Sequence, residues 1–100
     1  MQRSYLQKIA MRNEKSYHSA SVLLVDDNAS FIELISLLLH EIGVSKIITA
    51  NCHEEGLKAF QQNTPDICIF DTDLGKNKKN GIQLAEQIRG FSARTPIIFI

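Results

Sequence analysis

Two charge-free runs in this chain end on aspartates. Val22 to Val25 leads straight into Asp26 and Asp27, and Ile67 to Phe70 leads into Asp71 and, one residue on, Asp73. Carboxylates without a His or Cys in the set offer only oxygen ligands, which suit a hard divalent ion such as magnesium. Brought together, three such acids repel and raise one another's pKa, so a fold tolerates them only with a compensating cation. A magnesium ion held by one or two carboxylates keeps positions open for phosphate oxygens, and one acid can then act as nucleophile toward a phosphoryl group. Each piece also fits a plainer role. Asp26-Asp27-Asn28 suits a helix cap, Asp71 a loop, Asp73 a turn, and Lys76, Lys78 and Lys79 a solvated loop. The constellation favours chemistry: acids follow two separate runs that carry no charge.

The elements that must position these acids alternate. Val22–Val25 reads as a strand buried on both faces. Residues 29–42 carry Ile32, Ile35, Leu38, Leu39 and Ile42 at helical spacing, widened by Phe31, Leu34 and Leu37 and stopped by Gly43. Lys46–Ala50 is a second strand. Residues 53–62 are a second helix with Leu57 and Phe60 inward and acids in the first turn. Ile67–Phe70 is a third strand, and Asn80–Gly90 holds a third helix with Ile82, Leu84, Ala85 and Ile88 apolar. Thr95–Ile100 is a fourth strand. Such alternation predicts an α/β fold: a parallel sheet with right-handed crossovers, whose ligands bind beyond the carboxyl ends of the strands. Asp26, Asp27 and Asp71 then share one sheet edge, and they converge if the first and third strands are neighbours.

Composition sets the outer limits. One hundred residues make one small domain at most. A net charge of zero argues against a nucleic-acid or membrane partner, and no run approaches the length of a membrane span. Residues 1–20 hold Arg3, Lys8, Arg12 and Lys15 against Glu14, a balance of +3, and read as a flexible or weakly helical basic arm. Cys52 and Cys68 make no disulfide framework and read as free thiols in a reducing cytoplasm.

"LLVDDN", then 44 residues from Asp27 to Asp71, then "DTDLG", "NGIQLAEQIR" and "TPIIFI" resemble the receiver domain of two-component response regulators over Ser21–Ile100. The resemblance implies a three-layer flavodoxin-like fold with strand order 2-1-3-4. It implies that Asp71 accepts a phosphoryl group, and that Asp26, Asp27, Asp71 and the backbone carbonyl of Asp73 hold Mg2+. The donor it implies is a phosphohistidine on a sensor histidine kinase or a histidine phosphotransfer protein. The domain would then be a signalling module rather than an enzyme, assisting at most its own phosphorylation and dephosphorylation.

The pattern departs from the family in two places. The family often has a proline four residues after the phosphoacceptor and a glycine eight after. Here Gly75 takes the proline position and Gly81 falls ten after, so the loop is two residues longer and carries Lys76, Lys78 and Lys79 as possible modulators. The family's switch Ser/Thr, its Lys, its fifth strand and its last two helices would also lie past Ile100. We therefore expect a receiver that is C-terminally incomplete, with an apolar fourth strand and first helix open to a second copy or to the rest of a longer protein. Two rivals use the same residues. "IFDTDLG" also resembles the first motif of haloacid-dehalogenase-type phosphatases, with Asp71 as nucleophile and Asp73 as general acid. A degenerate receiver would only bind protein partners.

Overall fold

The computed structural model describes residues 19–75 and 79–100; the arm over residues 1–18, with Lys76 and Lys78, lies outside the described residues. Among the described residues four parallel strands alternate with three helices. They are β1 (Ser21–Val25), α1 (Ala29–Glu41), β2 (Lys46–Ala50), α2 (His53–Asn63), β3 (Ile67–Phe70), α3 (Gly81–Arg89) and β4 (Ile97–Phe99). The sheet order is β2-β1-β3-β4, so the path reverses direction at β1. Right-handed crossovers then put α1 on one face and α2 with α3 on the other.

The central strand has no exposed face. All five residues of β1 are buried, as an apolar run between two layers should be. Alternation divides them: Leu23 and Val25 join Cys68, Phe70, Phe60, Leu84 and Ile88 in the main core under α2 and α3, while Val22 and Leu24 point the other way. The core face is tightly closed. At Gly56 in α2 an added Cβ would sit 2.8 Å from a Leu84 methyl and 3.1 Å from Val25, so a larger residue there would have to displace the Leu84 side chain. Burial pushes the Cys68 thiol up to about 12 despite the opposing pull of Arg89, which leaves it a small neutral hydrophobe. Both cysteines are free.

The other face is thinly covered. No residue of α1 is fully buried. Ile32, Ile35, Leu39 and Ile42 are half-buried, whereas Leu38, expected inward, is 51% exposed. Leu38 sits on the flank of that stripe, where the sheet does not reach. Ile82 is likewise 48% exposed, because it falls beside the Leu84–Ala85–Ile88 face of α3. The fourth strand is shorter than expected. Pro96 has no N–H to give to the ladder, and only its carbonyl joins, accepting from Cys68 N–H at 2.9 Å. Ile98, Phe99 and Ile100 remain about half exposed.

Element ends follow local chemistry. Gly43, at φ 100°, closes α1 in a Schellman motif, with Gly43 N–H donating to the carbonyl of His40 and Val44 N–H to that of Leu39. At the sheet edge away from the acids, Asp66 Oδ2 accepts from Ser21 N–H at 2.8 Å, and the hydroxyl of Ser21 accepts from Asp66 N–H at 3.2 Å. These bonds tie the starts of β1 and β3 together. Among the described residues no helix is long and apolar enough to cross a membrane.

Thr64, the C-cap of α2, takes the left-handed conformation at φ 43°, a costly one for a β-branched residue and doubly so before Pro65. Asn tolerates that conformation far better. We expect Thr64→Asn to stabilise the chain by about 0.5–1 kcal/mol in chemical denaturation.

Candidate functional site: an acid pocket at the end of β1 and β3

Strand register sets this site. β1 and β3 run parallel with Val25 opposite Phe70, so the residues that follow, Asp26 and Asp71, leave the sheet side by side. Two backbone bonds carry the ladder one step past each strand: Asp26 N–H donates to Ala50 carbonyl at 3.1 Å, and Asp71 N–H to Val25 carbonyl at 2.9 Å. Asp26, Asp27 and Asp71 each bring a carboxylate oxygen within 4.8 Å of the other two. Asp26 is 3% exposed, Asp71 half-buried and Asp27 exposed. They line a pocket of about 310 Å³ with Asn28, Phe31 and Ile100.

The local turns share out the polar groups. Asn28, not either aspartate, caps α1: its side chain accepts from Phe31 N–H at 3.1 Å. Asp27 is thereby left out of the capping bond. Asp26 Oδ1 accepts from Asn28 N–H at 2.9 Å, an Asx turn that fixes its rotamer. Asp71 does the same one strand over, with Oδ1 accepting from Asp73 N–H at 3.1 Å. Asp73 Oδ1 in turn accepts from Gly75 N–H at 3.1 Å. The Asp73 carboxylate is outside the three-acid group, and its backbone is half of the turn that holds Asp71. Leu74 is buried in the main core and anchors this loop just past the acids.

A second clamp comes from α3. Its first residue, Gly81, lies against the backbone of Asp71 so closely that an added Cβ would overlap the Asp71 carbonyl oxygen. Gly81 N–H donates to Thr72 carbonyl at 3.3 Å. A capping box fixes the helix start: Asn80 Oδ1 accepts from Gln83 N–H and Gln83 Oε1 from Asn80 N–H, both at 2.9 Å. "NG" ahead of an apolar-periodic segment was legible as a helix opening. Its contact with Asp71 was not, because nothing local encodes it.

Lys79 is not among the residues lining the acid pocket. It lines a separate cleft between α2 and α3, beside His53. Burial raises the pKa of Asp26; the Asn28 N–H bond works against this, and the charges of Asp71 and Asp27 add to it. The donor set fits a small hard divalent cation: three carboxylate oxygens within mutual reach, one held below the surface, at a pocket open to solvent.

The residues from 22 to 100 match the family described as the response regulator receiver domain, and the chain belongs to that family. It is 37% identical over 82 residues to the transcriptional regulatory protein RprY of Bacteroides fragilis, covering 79% of this chain and 32% of that protein. It is 33% identical over 79 residues to the alkaline phosphatase synthesis transcriptional regulatory protein PhoP of Bacillus subtilis, covering 79% and 32%. The chain thus spans about a third of the length of these relatives. Among solved structures, it is similar to the chemotaxis response regulator CheY4 of Vibrio cholerae, with a TM-score of 0.72, 28% identity, and 80% and 66% of the two chains covered. A LuxR-family two-component response regulator from Aurantimonas sp. gives 0.71, 26%, 80% and 56%. The fold is the flavodoxin-like receiver fold with order 2-1-3-4, and the domain is a signalling domain of two-component systems. The family match sets the phosphatase alternative aside; Asp73 lies outside the three-acid group, with Oδ1 accepting from Gly75 N–H.

Two expectations follow. Gly81→Ala should cost about 2 kcal/mol or more, because a methyl group there meets backbone rather than a movable side chain; a calorimetric midpoint equal to that of the unchanged chain would contradict the clamp. For Asp26, a raised folded pKa means that stability falls as pH rises through the interval from the ordinary 3.8 up to the folded value, and the deficit persists above it. Asp26→Asn keeps an oxygen for Asn28 N–H and removes the charge. With a chelator present it should therefore stabilise the chain at pH 7, and that gain should vanish below 3.8, where Asp26 is protonated in both states.

Proposed function

We propose that this unit is a phosphoacceptor in a phosphorelay, with Asp71 receiving a phosphoryl group from a phosphohistidine on a sensor histidine kinase or a histidine phosphotransfer protein. The observation that carries it is the convergence of three carboxylates from two strands at one pocket. In the transfer, an Asp71 carboxylate oxygen bonds to phosphorus as the bond from phosphorus to the imidazole nitrogen breaks, and the imidazole leaves with that electron pair. Asp71 Oδ1 is oriented by Asp73 N–H, which leaves Oδ2 as the attacking atom. Asp26, Asp27, Asp71 and the backbone carbonyl of Asp73 would hold Mg2+, which when bound offsets the charge on the phosphoryl oxygens. Gly81 and the Asx turns keep the nucleophile's backbone fixed, so little reorganisation is needed at the moment of attack.

Residues 21–100 act as the receiver unit, with residues 1–20 as an arm, in the cytoplasm. The unit assists its own phosphorylation and dephosphorylation and has no other turnover. By likeness to relatives named transcriptional regulatory proteins, its phosphorylation state would be read out in the control of transcription. The half-exposed apolar groups of α1 and β4, among them Leu34, Leu37 and Ile98, are where a second copy would pair.

Incubation with acetyl phosphate and magnesium, followed by intact-mass and peptide mass spectrometry, tests this. One phosphoryl group should appear on Asp71, be lost in Asp71→Asn, and fall by on the order of 10²-fold in rate in Asp27→Asn. Continuous release of inorganic phosphate without a phosphorylated chain would mark a phosphatase. No modification with an intact fold would mark a domain used only for binding.

A further inference from the structure

We propose that His53 makes the contact between α2 and α3 acid-sensitive: once protonated, its ring no longer fits the seat it holds there, and the loop at residues 79–81 that bears on the backbone of Asp71 loosens with it. His53 is in the first turn of α2 and is 5% exposed. Both ring nitrogens are shut off from solvent and neither has a hydrogen-bond partner. Gln87 of α3 stands at the ring without hydrogen-bond geometry. Buried polar side chains are nearly always paired, so an enclosed ring with both nitrogens idle is an exception that the interior tolerates only while the ring is neutral.

The surroundings give a cation no support. An imidazolium has two N–H donors and no lone pair, and Gln87, turned to face it, can accept only one of them. Of the charged groups around the ring, Lys79, in the loop before α3, opposes a cation, and Glu54, on α2 itself, favours one more weakly. Lys58 is a second lysine in the same wall. Glu55 is turned to Asn51 N–H, and Glu86 of α3 lines a neighbouring cleft beside Lys79. β1 carries no charge, and the charge of β2, Lys46, is at the far end of that strand. The positive end of α2 adds to the opposition. Burial, and then Lys79, hold the pKa of His53 below its ordinary value, against Gln87 and Glu54. Above 6.5 the ring is therefore neutral in the folded and the unfolded chain; as pH falls below 6.5 the unfolded chain takes up the proton first, and stability drops until the folded ring is protonated too.

A proton on His53 is thus accommodated by movement, and the packing decides where. Gly56 N–H closes the first turn of α2 on the Cys52 carbonyl at 2.9 Å, and Gly56 itself lies tight against Leu84 of α3. The helices have no slack there. Gln87 and Lys79 are exposed and give way first. Lys79 is two residues from Gly81, whose backbone is set against that of Asp71, and the Asn80–Gln83 capping box stiffens the step between them. A shift at residue 79 is therefore passed to Asp71 through backbone, not through side chains that can change rotamer. As regulation of phosphoacceptance this rests on the function proposed above; as a coupling between His53 and the Asp71 backbone it does not.

The test is an NMR pH titration of the full chain from about pH 8 to about pH 4.5, with a chelator and no phosphoryl donor. The His53 ring should titrate with a lower midpoint than in the urea-unfolded chain, and the Gly81 and Asp71 amides should show a step at that same midpoint. The carboxylates of the acid pocket titrate as well, so two variants isolate the His53 step. Lys79→Ala removes the opposing charge and should move the ring midpoint and the amide step up together. His53→Gln should abolish the step. Lys46→Ala, at the far end of β2, should move neither. A ring midpoint no lower than in urea would overturn the proposal, as would a midpoint that Lys79→Ala leaves in place, or Gly81 and Asp71 amides that do not follow the ring when it moves. Lys79 is exposed, so its variant keeps the test decisive even where the buried His53→Gln change disturbs folding. With no donor present, failure here leaves phosphoryl transfer to Asp71 standing.

Discussion

Parallel pairing of β1 with β3, in the register that sets Val25 against Phe70, is the constraint on which the acid pocket rests. The side-chain period of a strand is two residues, so a slip of one would turn Leu23 and Val25 out of the core and carry Asp26 away from Asp71. The apolar faces of the two strands thus fix the position of the charges beyond them. Burial of Leu23, Val25, Cys68 and Phe70 resists any slip, and the Ser21–Asp66 bonds at the opposite edge oppose it from the other end. A cluster of like charges is held together by hydrophobic pairing that the charges themselves oppose.

That opposition shows in Asp26. Its carboxylate is buried beside two others, and its pKa rises in consequence. A scaffold built for stability alone would put a neutral residue there. The remaining devices keep the acids from relaxing apart: Asx turns at Asp26 and Asp71, Leu74 sunk in the core, and Gly81 set against the Asp71 backbone. Asn28 contributes by taking the capping role, which leaves Asp27 exposed and uncommitted.

Much of this was legible in the sequence because it depends on local pattern. Charge-free runs ending in acids, helical spacing in α1 and α3, and Gly43 as a stop are periodicity and backbone chemistry within a few residues. The neighbouring of β1 and β3 came from family likeness and is not encoded within either strand. What escaped are features set by packing between distant segments. Leu38 and Ile82 carry the right residue type for the core but sit on flanks that no other described element covers. The contact of Gly81 with Asp71 spans ten positions and depends on how α3 docks. Lys79, read from the sequence as a solvated loop residue or a possible modulator, lines the cleft beside α2 and not the acid pocket. The burial of His53, a polar residue in a first helical turn, has no sequence signature at all.

The acid pocket and the α2–α3 cleft lie at the same edge of the sheet and are joined by a short stretch of chain. Lys79 lines the cleft, Asn80 caps α3, and Gly81 bears on the backbone of Asp71. A change at one place affects the other only if it favours one of two arrangements that both sense. Side-chain contacts usually absorb small displacements by changing rotamer. The contact at Gly81 is backbone against backbone, with no room for a methyl group, so it has no such slack. A shift of the loop at residues 79–81 therefore either moves Asp71 or breaks the start of α3. The capping box between Asn80 and Gln83 resists the second outcome. The stiffness that holds Asp71 in place thus also makes this loop the shortest mechanical route to it.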